Sequence, residues 1–303
     1  MPNVANKGGT AETTAFSSLI LRTRALFILN WRVLLIMKKI LFIGAGSMAE
    51  ALIQGWIKQQ AFMPQDIYVT NRSDKERLQL LHDTYGVTIL QDDAAYAQVD
   101  VIILAMKPKD AVTAMQLMRP KLADHTAVLS ILAGTPINTI TENLGIRPVA
   151  RVMPNTSATI GMSASGIAFN EVVSDEQRLV FLQLLEAVGS VIEVQEDQLH
   201  AVTALSGSGP AYIYYLMEAF ERVGTEIGLD KDTVRLLMTQ TLAGTAEMLK
   251  QSPEEPNKLR KKVTSPGGTT EAGIKALEHH HFNDAIEACI KDAEARSRAL
   301  AKI

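Results

Sequence analysis

A four-residue apolar run, Ile40-Leu41-Phe42-Ile43, feeds directly into Gly44-Ala45-Gly46-Ser47-Met48-Ala49. This junction limits the fold more than any other part of the chain. The run is compatible with a strand buried on both faces of a parallel sheet. Beyond the glycines, Ala51, Leu52, Trp56 and Ile57 recur at helical spacing. Strand, glycine turn and helix in that order form the context in which a Gly-x-Gly-x-x-Ala pattern binds a dinucleotide. Gly44 permits the tight turn and Gly46 lets the backbone approach a pyrophosphate, while Ala49 fills the close-packing position of the third glycine. The segment Ile43, Gly44, Ala45, Gly46, Ser47, Met48, Ala49 is therefore the candidate phosphate-binding element, with the phosphates resting on the helix N-terminus.

Strand and helix keep alternating downstream. Asp66–Thr70, Val87–Leu90, Val101–Ala105, Ala127–Ala133, Pro148–Met153 and Gly166–Phe169 read as further strands, and Lys75–Thr84 as a helix. A helix at Glu176–Val188 and a last strand at Val191–Val194 follow. This alternation indicates an α/β fold, a Rossmann-type doubly wound parallel sheet. Past Glu196 the pattern becomes almost wholly helical: Tyr212–Ile227, Lys231–Lys250, Glu271–His280 and Asn283–Lys302. The expected organisation is a dinucleotide-binding domain over 37–196 and an all-helical domain over 197–303. The second carries much apolar surface (Tyr214, Leu216, Met217, Phe220, Leu236, Leu237, Met238, Leu242), which either one core or a dimer interface would absorb.

Residues 1–36 stand apart. Arg22, Arg24 and Arg32 interrupt their apolar run, leaving it too short and too charged for a membrane span, and no cleavable signal is evident. Met37-Lys38-Lys39 reads as a natural start, with the preceding segment as a disordered tail or upstream sequence. A net charge of −3 gives no electrostatic footprint for nucleic acid. The single cysteine, Cys289, excludes an internal disulfide and a cysteine metal cluster. These features fit a cytoplasmic protein with neither nucleic acid nor membrane as partner.

The second strand bears on the choice of dinucleotide. NAD sites usually place Asp or Glu about 20 residues after the glycines to bind the ribose 2′-OH. Here the strand ends in Thr70-Asn71-Arg72-Ser73, with no carboxylate before Asp74. Asn71, Arg72 and Ser73 can donate hydrogen bonds to a 2′-phosphate, Arg72 with charge assistance. NADPH is favoured, with NADH as the alternative. Ala105, Met106, Lys107 and Pro108 close the fourth strand at the carboxyl edge of the sheet, where their backbone can meet a cofactor ribose. Asn155, in Met153-Pro154-Asn155-Thr156 at the same edge, is a candidate for the nicotinamide amide.

Two more glycine turns lie in the helical half, Leu205-Ser206-Gly207-Ser208-Gly209-Pro210-Ala211-Tyr212 and Thr264-Ser265-Pro266-Gly267-Gly268-Thr269-Thr270. The first reads as a close-packed helix entry. In the second, the hydroxyls of Ser265, Thr269 and Thr270 surround the free N–H groups of a helix start, a cradle for a small carboxylate or phosphate. With a phosphate site already supplied at Gly44–Ala49, the distant turn is free for the carboxylate of another reactant.

These motifs together, with Ala105–Pro108 and Met153–Thr156, resemble pyrroline-5-carboxylate reductase from about Met37 to the C-terminus. The resemblance implies reduction of 1-pyrroline-5-carboxylate to L-proline by hydride from NAD(P)H, the last step of proline biosynthesis. It implies a helical domain that interlocks with its partner in a homodimer, such dimers often assembling into a ring of five. It also implies that Ser265, Gly267, Gly268 and Thr269 hold the substrate carboxylate, and that Thr270 hydrogen-bonds the ring nitrogen as the catalytic residue. The chain departs from the family pattern at Ser157, Glu255 and Lys261. It also has Asp92 where family members often carry Asn near the adenosine ribose. An iminium carbon accepts hydride by positioning and modest polarisation, so no histidine is required. His279-His280-His281 ends a helix, where positive charge suits the dipole, and is not expected to bind metal.

Overall fold

The first strand alternates strictly between two hydrophobic clusters, Ile40 and Phe42 facing one and Leu41 and Ile43 the other. A strand that buries both faces needs helices on both sides, and the fold supplies them. The computed structural model describes residues 39–301; the expectations for residues 1–36 and for Met37 fall outside them. In chain order the elements of the sheet unit are β1 (Ile40–Ile43), α1 (Ser47–Lys58), β2 (Ile67–Thr70), α2 (Lys75–Tyr85), β3 (Thr88–Ile89), β4 (Val101–Leu104), α3 (Ala111–Met118) and β5 (Ala127–Ser130). Next come α4 (Ile137–Leu144), β6 (Val149–Met153), β7 (Ser163–Phe169), α5 (Asp175–Glu186), β8 (Gly189–Glu193) and α6 (Leu199–Val202).

The strand order is β3-β2-β1-β4-β5-β6-β7-β8. Every pairing is parallel except β6 with β7. That exception follows from the link, a short 3-10 turn at Thr156–Ile160, since a parallel partner needs a crossover of a dozen or more residues. The chain reverses direction across the sheet between β1 and β4, which places a crevice at their carboxyl ends. One face is covered by α1, α2 and α5, the other by α3 and α4. Trp56 on α1 is fully buried between Phe42 and Phe62, with both ring centroids at 5.6 Å. Its indole N–H donates to the Leu184 carbonyl at 2.7 Å, tying α1 to α5.

Some strands differ in extent from the sequence pattern: β5 stops at Ser130 rather than Ala133 and β4 at Leu104, whereas β7 starts at Ser163 rather than Gly166 and β8 at Gly189 rather than Val191. Four helices escape the sequence pattern, α3, α4, α6 and α9 (Pro256–Lys262), each eight residues or fewer. At that length an apolar run does not separate helix from strand.

The chain divides after Val202, whereas the sequence pattern changes near Glu196. The second unit, Thr203–Ala299, opens with a π-helical turn at Thr203–Gly207 and continues through α7 (Gly209–Glu226), α8 (Lys231–Gln251), α9, α10 (Thr269–His279) and α11 (Phe282–Leu300). Asp230 caps α8 by accepting from the Thr233 N–H at 2.9 Å. Glu221 on α7 is paired with Arg235 at 2.7 Å and Lys231 at 3.6 Å, which fixes α7 against α8. The chain's own core does not absorb the apolar surface of these helices: α7 buries no residue and α8 only Val234. Tyr215 is 77% exposed and Leu236 71%. No helix among the described residues is long and apolar enough to cross a membrane.

Candidate functional site

The crevice between β1 and β4 is a cleft of about 640 Å³. It brings together Ile43, Gly44, Ala45, Gly46, Asn71, Arg72, Ala105, Met106 and Lys107, all expected from sequence. Gly44 is demanded by the fold itself. Its φ is +112°, and a Cβ there would stand 2.6 Å from the backbone of Ala105 and Met106. Gly46 is different, because a Cβ there would meet no protein atom within 4 Å. Packing does not explain that glycine, whereas the approach of a ligand would. Ser47, Met48 and Ala49 form the first turn of α1, whose N-terminus has no side-chain cap. Its N–H groups thus suit an anion.

Around the loops that follow β2 and β4 the side chains are largely committed. Asn71 closes a local turn, its amide donating to the Asp74 carbonyl at 2.7 Å and its oxygen accepting from the Asp74 N–H. Asp74 caps α2 through the Arg77 N–H. Arg77 donates to the Ala45 carbonyl and pairs with Glu50. Arg72 reaches across the cleft to Asp110, Nη1 to Oδ1 at 2.9 Å. Pro108 opens the 3-10 turn Pro108–Asp110 and does not itself line the cleft. Tyr96 does, and burial pushes its phenol pKa up while the Lys121 ammonium stands 5.4 Å above its ring. Asp92 is a cap, accepting from the Ala94 N–H at 3.0 Å, and lies outside the lining.

Sequence reasoning missed Arg77, Tyr96, Asp110, Thr113 and Leu117, which also line the cleft. The spacing of Ala111, Met115 and Met118 matches the buried face of α3, but over eight residues it does not settle a helix and says nothing of which loop Asp110 faces. Asn155 is 7% exposed and lies outside the lining. Its side-chain oxygen accepts from the Ser157 N–H and its own N–H donates to Ser163 Oγ, so it shapes the turn after β6.

In the second unit, Ser265-Pro266-Gly267-Gly268 is a β-turn closed by the Gly268 N–H on the Ser265 carbonyl at 3.0 Å. Proline in the second position and glycine at φ +73° in the third are the type II arrangement. The turn delivers the chain into α10, whose N-cap Gly268 offers no side chain to the first-turn N–H groups. The hydroxyls of Ser265, Thr269 and Thr270 cluster there in sequence, and none is taken up by a hydrogen bond among the described residues. One N–H of the turn does bind a carboxylate: Gly267 donates to Glu271 Oε2 at 2.8 Å. That bond, and then the Lys275 ammonium, hold the Glu271 carboxyl below the usual range. Lys261 lies on α9 beside Arg260 and Lys262. Among the described residues no cluster of three or more His, Cys, Asp or Glu could hold a metal.

Comparison with known proteins follows the same division. A family model described as pyrroline-5-carboxylate reductase dimerisation matches residues 196–300. One described as NADP oxidoreductase coenzyme F420-dependent matches residues 39–134. The chain is 48% identical over 266 residues to pyrroline-5-carboxylate reductase 2 of Bacillus subtilis, covering 87% of this chain and 95% of that protein. Its structure resembles a Coxiella burnetii pyrroline-5-carboxylate reductase with TM-score 0.79 and 36% identity, over 88% of this chain and all of that one (100%). A Plasmodium falciparum pyrroline carboxylate reductase with NADP bound gives TM-score 0.80 at 26% identity, over 88% and 99% of the two chains.

Proposed function

The chain belongs to the pyrroline-5-carboxylate reductase family, and from that premise we propose how its residues divide the reduction of 1-pyrroline-5-carboxylate to L-proline. The fit of the cleft to a dinucleotide rests on the uncapped start of α1 and on Gly46, where a ligand can approach the bare backbone. NADPH, when bound, supplies the hydride. The segment Ile43–Ala49 holds the pyrophosphate, Arg72 takes the 2′-phosphate, and the backbone from Ala105 to Lys107 meets a ribose. Asn71 contributes by holding the loop that presents Arg72.

On the substrate side, the N–H groups of Gly267 and Thr269 and the Ser265 hydroxyl take the carboxylate, while the Gly268 N–H, bound to the Ser265 carbonyl, holds the shape of the turn. The Thr270 hydroxyl holds the ring nitrogen. The observation that carries this assignment is the Gly267 N–H, which already binds a carboxylate in the form of Glu271. An iminium carbon is electrophilic enough that orientation and a polarised nitrogen do most of the work. The exposed apolar faces of α7 and α8, within the segment matched by the dimerisation model, support a homodimer. A ring of five such dimers and a cytoplasmic location complete the proposal.

A steady-state assay tests it. Purified protein should oxidise NADPH when given pyrroline-5-carboxylate, and this five-membered imine should outperform other ring sizes and 2-keto acids by a wide margin. No oxidation of NADPH or NADH would sink the proposal. Sedimentation of the active protein reads the assembly.

A further inference from the structure

Asp110 occupies the N-cap position of α3, where an aspartate ordinarily accepts a hydrogen bond from its own helix. Here it makes no such bond. Its carboxylate points across the cleft to Arg72, at 2.9 Å. The Arg72 side chain is 81% exposed and that of Asp110 31%. The pair thus bridges the loops that follow β2 and β4, on either side of the point where the sheet reverses.

A dinucleotide site reads the 2′ position of the adenosine ribose through charge. A carboxylate accepts from a 2′-OH and repels a 2′-phosphate, whereas an arginine binds the phosphate. The usual place for that carboxylate is the end of the second strand. In this chain Asn71 and Arg72 stand there, and the nearby Asp74 is turned back to cap α2. Asp110 brings a carboxylate to the same region from a different strand. Among the other charged groups along the cleft, Arg77 is engaged with Glu50 and the Ala45 carbonyl and Lys121 with Asp93, while Lys107 and Lys109 line it without an ion pair among the described residues. Arg72 and Asp110 are left facing one another over the adenosine end.

We propose that Asp110 is a specificity-determining residue for the cofactor, a carboxylate that competes with the 2′-phosphate for Arg72 and so tempers the preference for NADPH over NADH. NADPH must draw Arg72 away from Asp110 and then tolerate a carboxylate beside its phosphate. NADH leaves the ion pair intact and finds in Asp110 an acceptor for its 2′-OH. The arginine alone would read as an NADPH site; the pair reads as one that admits both. This rests on the cleft being the dinucleotide site, as proposed above, and not on the identity of the substrate.

The test is the ratio of dissociation constants for NADH and NADPH, measured by cofactor fluorescence on the full-length protein. The variants are Asp110→Asn and Asp110→Ala. Both should tighten NADPH by roughly fivefold, the scale of an exposed charge pair, and leave NADH unchanged or weaker. The gain should shrink at high salt. Arg72→Ala should move the ratio in the opposite direction. An unchanged ratio in both Asp110 variants, or equal tightening of the two cofactors, overturns the inference while leaving the reductase assignment standing. Wild-type protein that binds neither dinucleotide removes the cofactor reading, and this inference with it.

Discussion

Glu271 Oε2 accepts a hydrogen bond from the Gly267 N–H at 2.8 Å, so the turn assigned to the substrate carboxylate closes on a carboxylate of its own. Substrate must displace it to use that donor. Glu271→Ala should therefore lower KM for pyrroline-5-carboxylate by about threefold to tenfold, the net scale of one hydrogen bond, with kcat little changed. A rise in KM would instead show that Glu271 maintains the shape of the turn. The sign of the pH effect follows from its depressed pKa. The contact contributes stability above the ordinary glutamate value of about 4.3 and is lost as pH falls through the lower folded value. Across neutral assay conditions the latch stays charged, and only mutation removes it.

Thr270 lies in the first turn of α10 beside that latch, and its hydroxyl is assigned to the ring nitrogen. Thr270→Ala should reduce kcat by about 100-fold, within the range for losing one positioned group at the reacting centre. NADPH affinity should stay near wild type, because the cofactor cleft is built entirely from the sheet unit. Stopped-flow binding and turnover on the same preparation separate the two. Equal loss of both would mean that the loop is structural.

Gly44 offers a test of the cleft that needs no ligand. Its positive φ and the 2.6 Å approach of a Cβ to Ala105 and Met106 leave no room for a side chain. Backbone surrounds the site on the side of the clash, so relief requires parting β1 from β4. Gly44→Ala should cost roughly 2–4 kcal/mol, read as a lowered urea midpoint. Gly46→Ala meets no protein atom; it should leave the midpoint near wild type while weakening NADPH. If both variants lose stability equally, the distinction between a fold-required and a ligand-required glycine fails.

Those two glycines also show what the sequence reveals and what it hides. Strand, turn and helix around Gly44 are written in local periodicity, so the switch point and the part of its lining at the ends of β1, β2 and β4 were legible. Asp110 was not, because it lies at the start of a short helix and matters only through Arg72, 38 residues earlier. Periodicity carries no information about which loops face one another. Asn71 was legible as a polar donor, yet its donors and acceptor turn inward on Asp74. The type II geometry of Ser265–Gly268 was written in its Pro-Gly-Gly order, but Glu271 as a competitor for Gly267 depended on the orientation of a side chain one turn into the helix. Most of the fold follows from spacing; the site's preferences follow from pairings that only packing creates.

Leu236 gives the assembly its clearest handle. It is 71% exposed on α8, so changing it disturbs little within its own chain. In a two-fold dimer the same residue is altered on both subunits. Leu236→Asp removes apolar burial worth about 1.5–3 kcal/mol per side chain and adds a carboxylate to be desolvated. The dimer dissociation constant should rise by at least about 100-fold, visible in sedimentation velocity as a monomer at micromolar concentration. Turnover should fall with it if the paired helices shape the substrate site, while NADPH binding, which the sheet unit provides alone, should survive. A variant that remains dimeric would place the interface on another face of the helical unit and leave the apolar surface of α8 without an occupant.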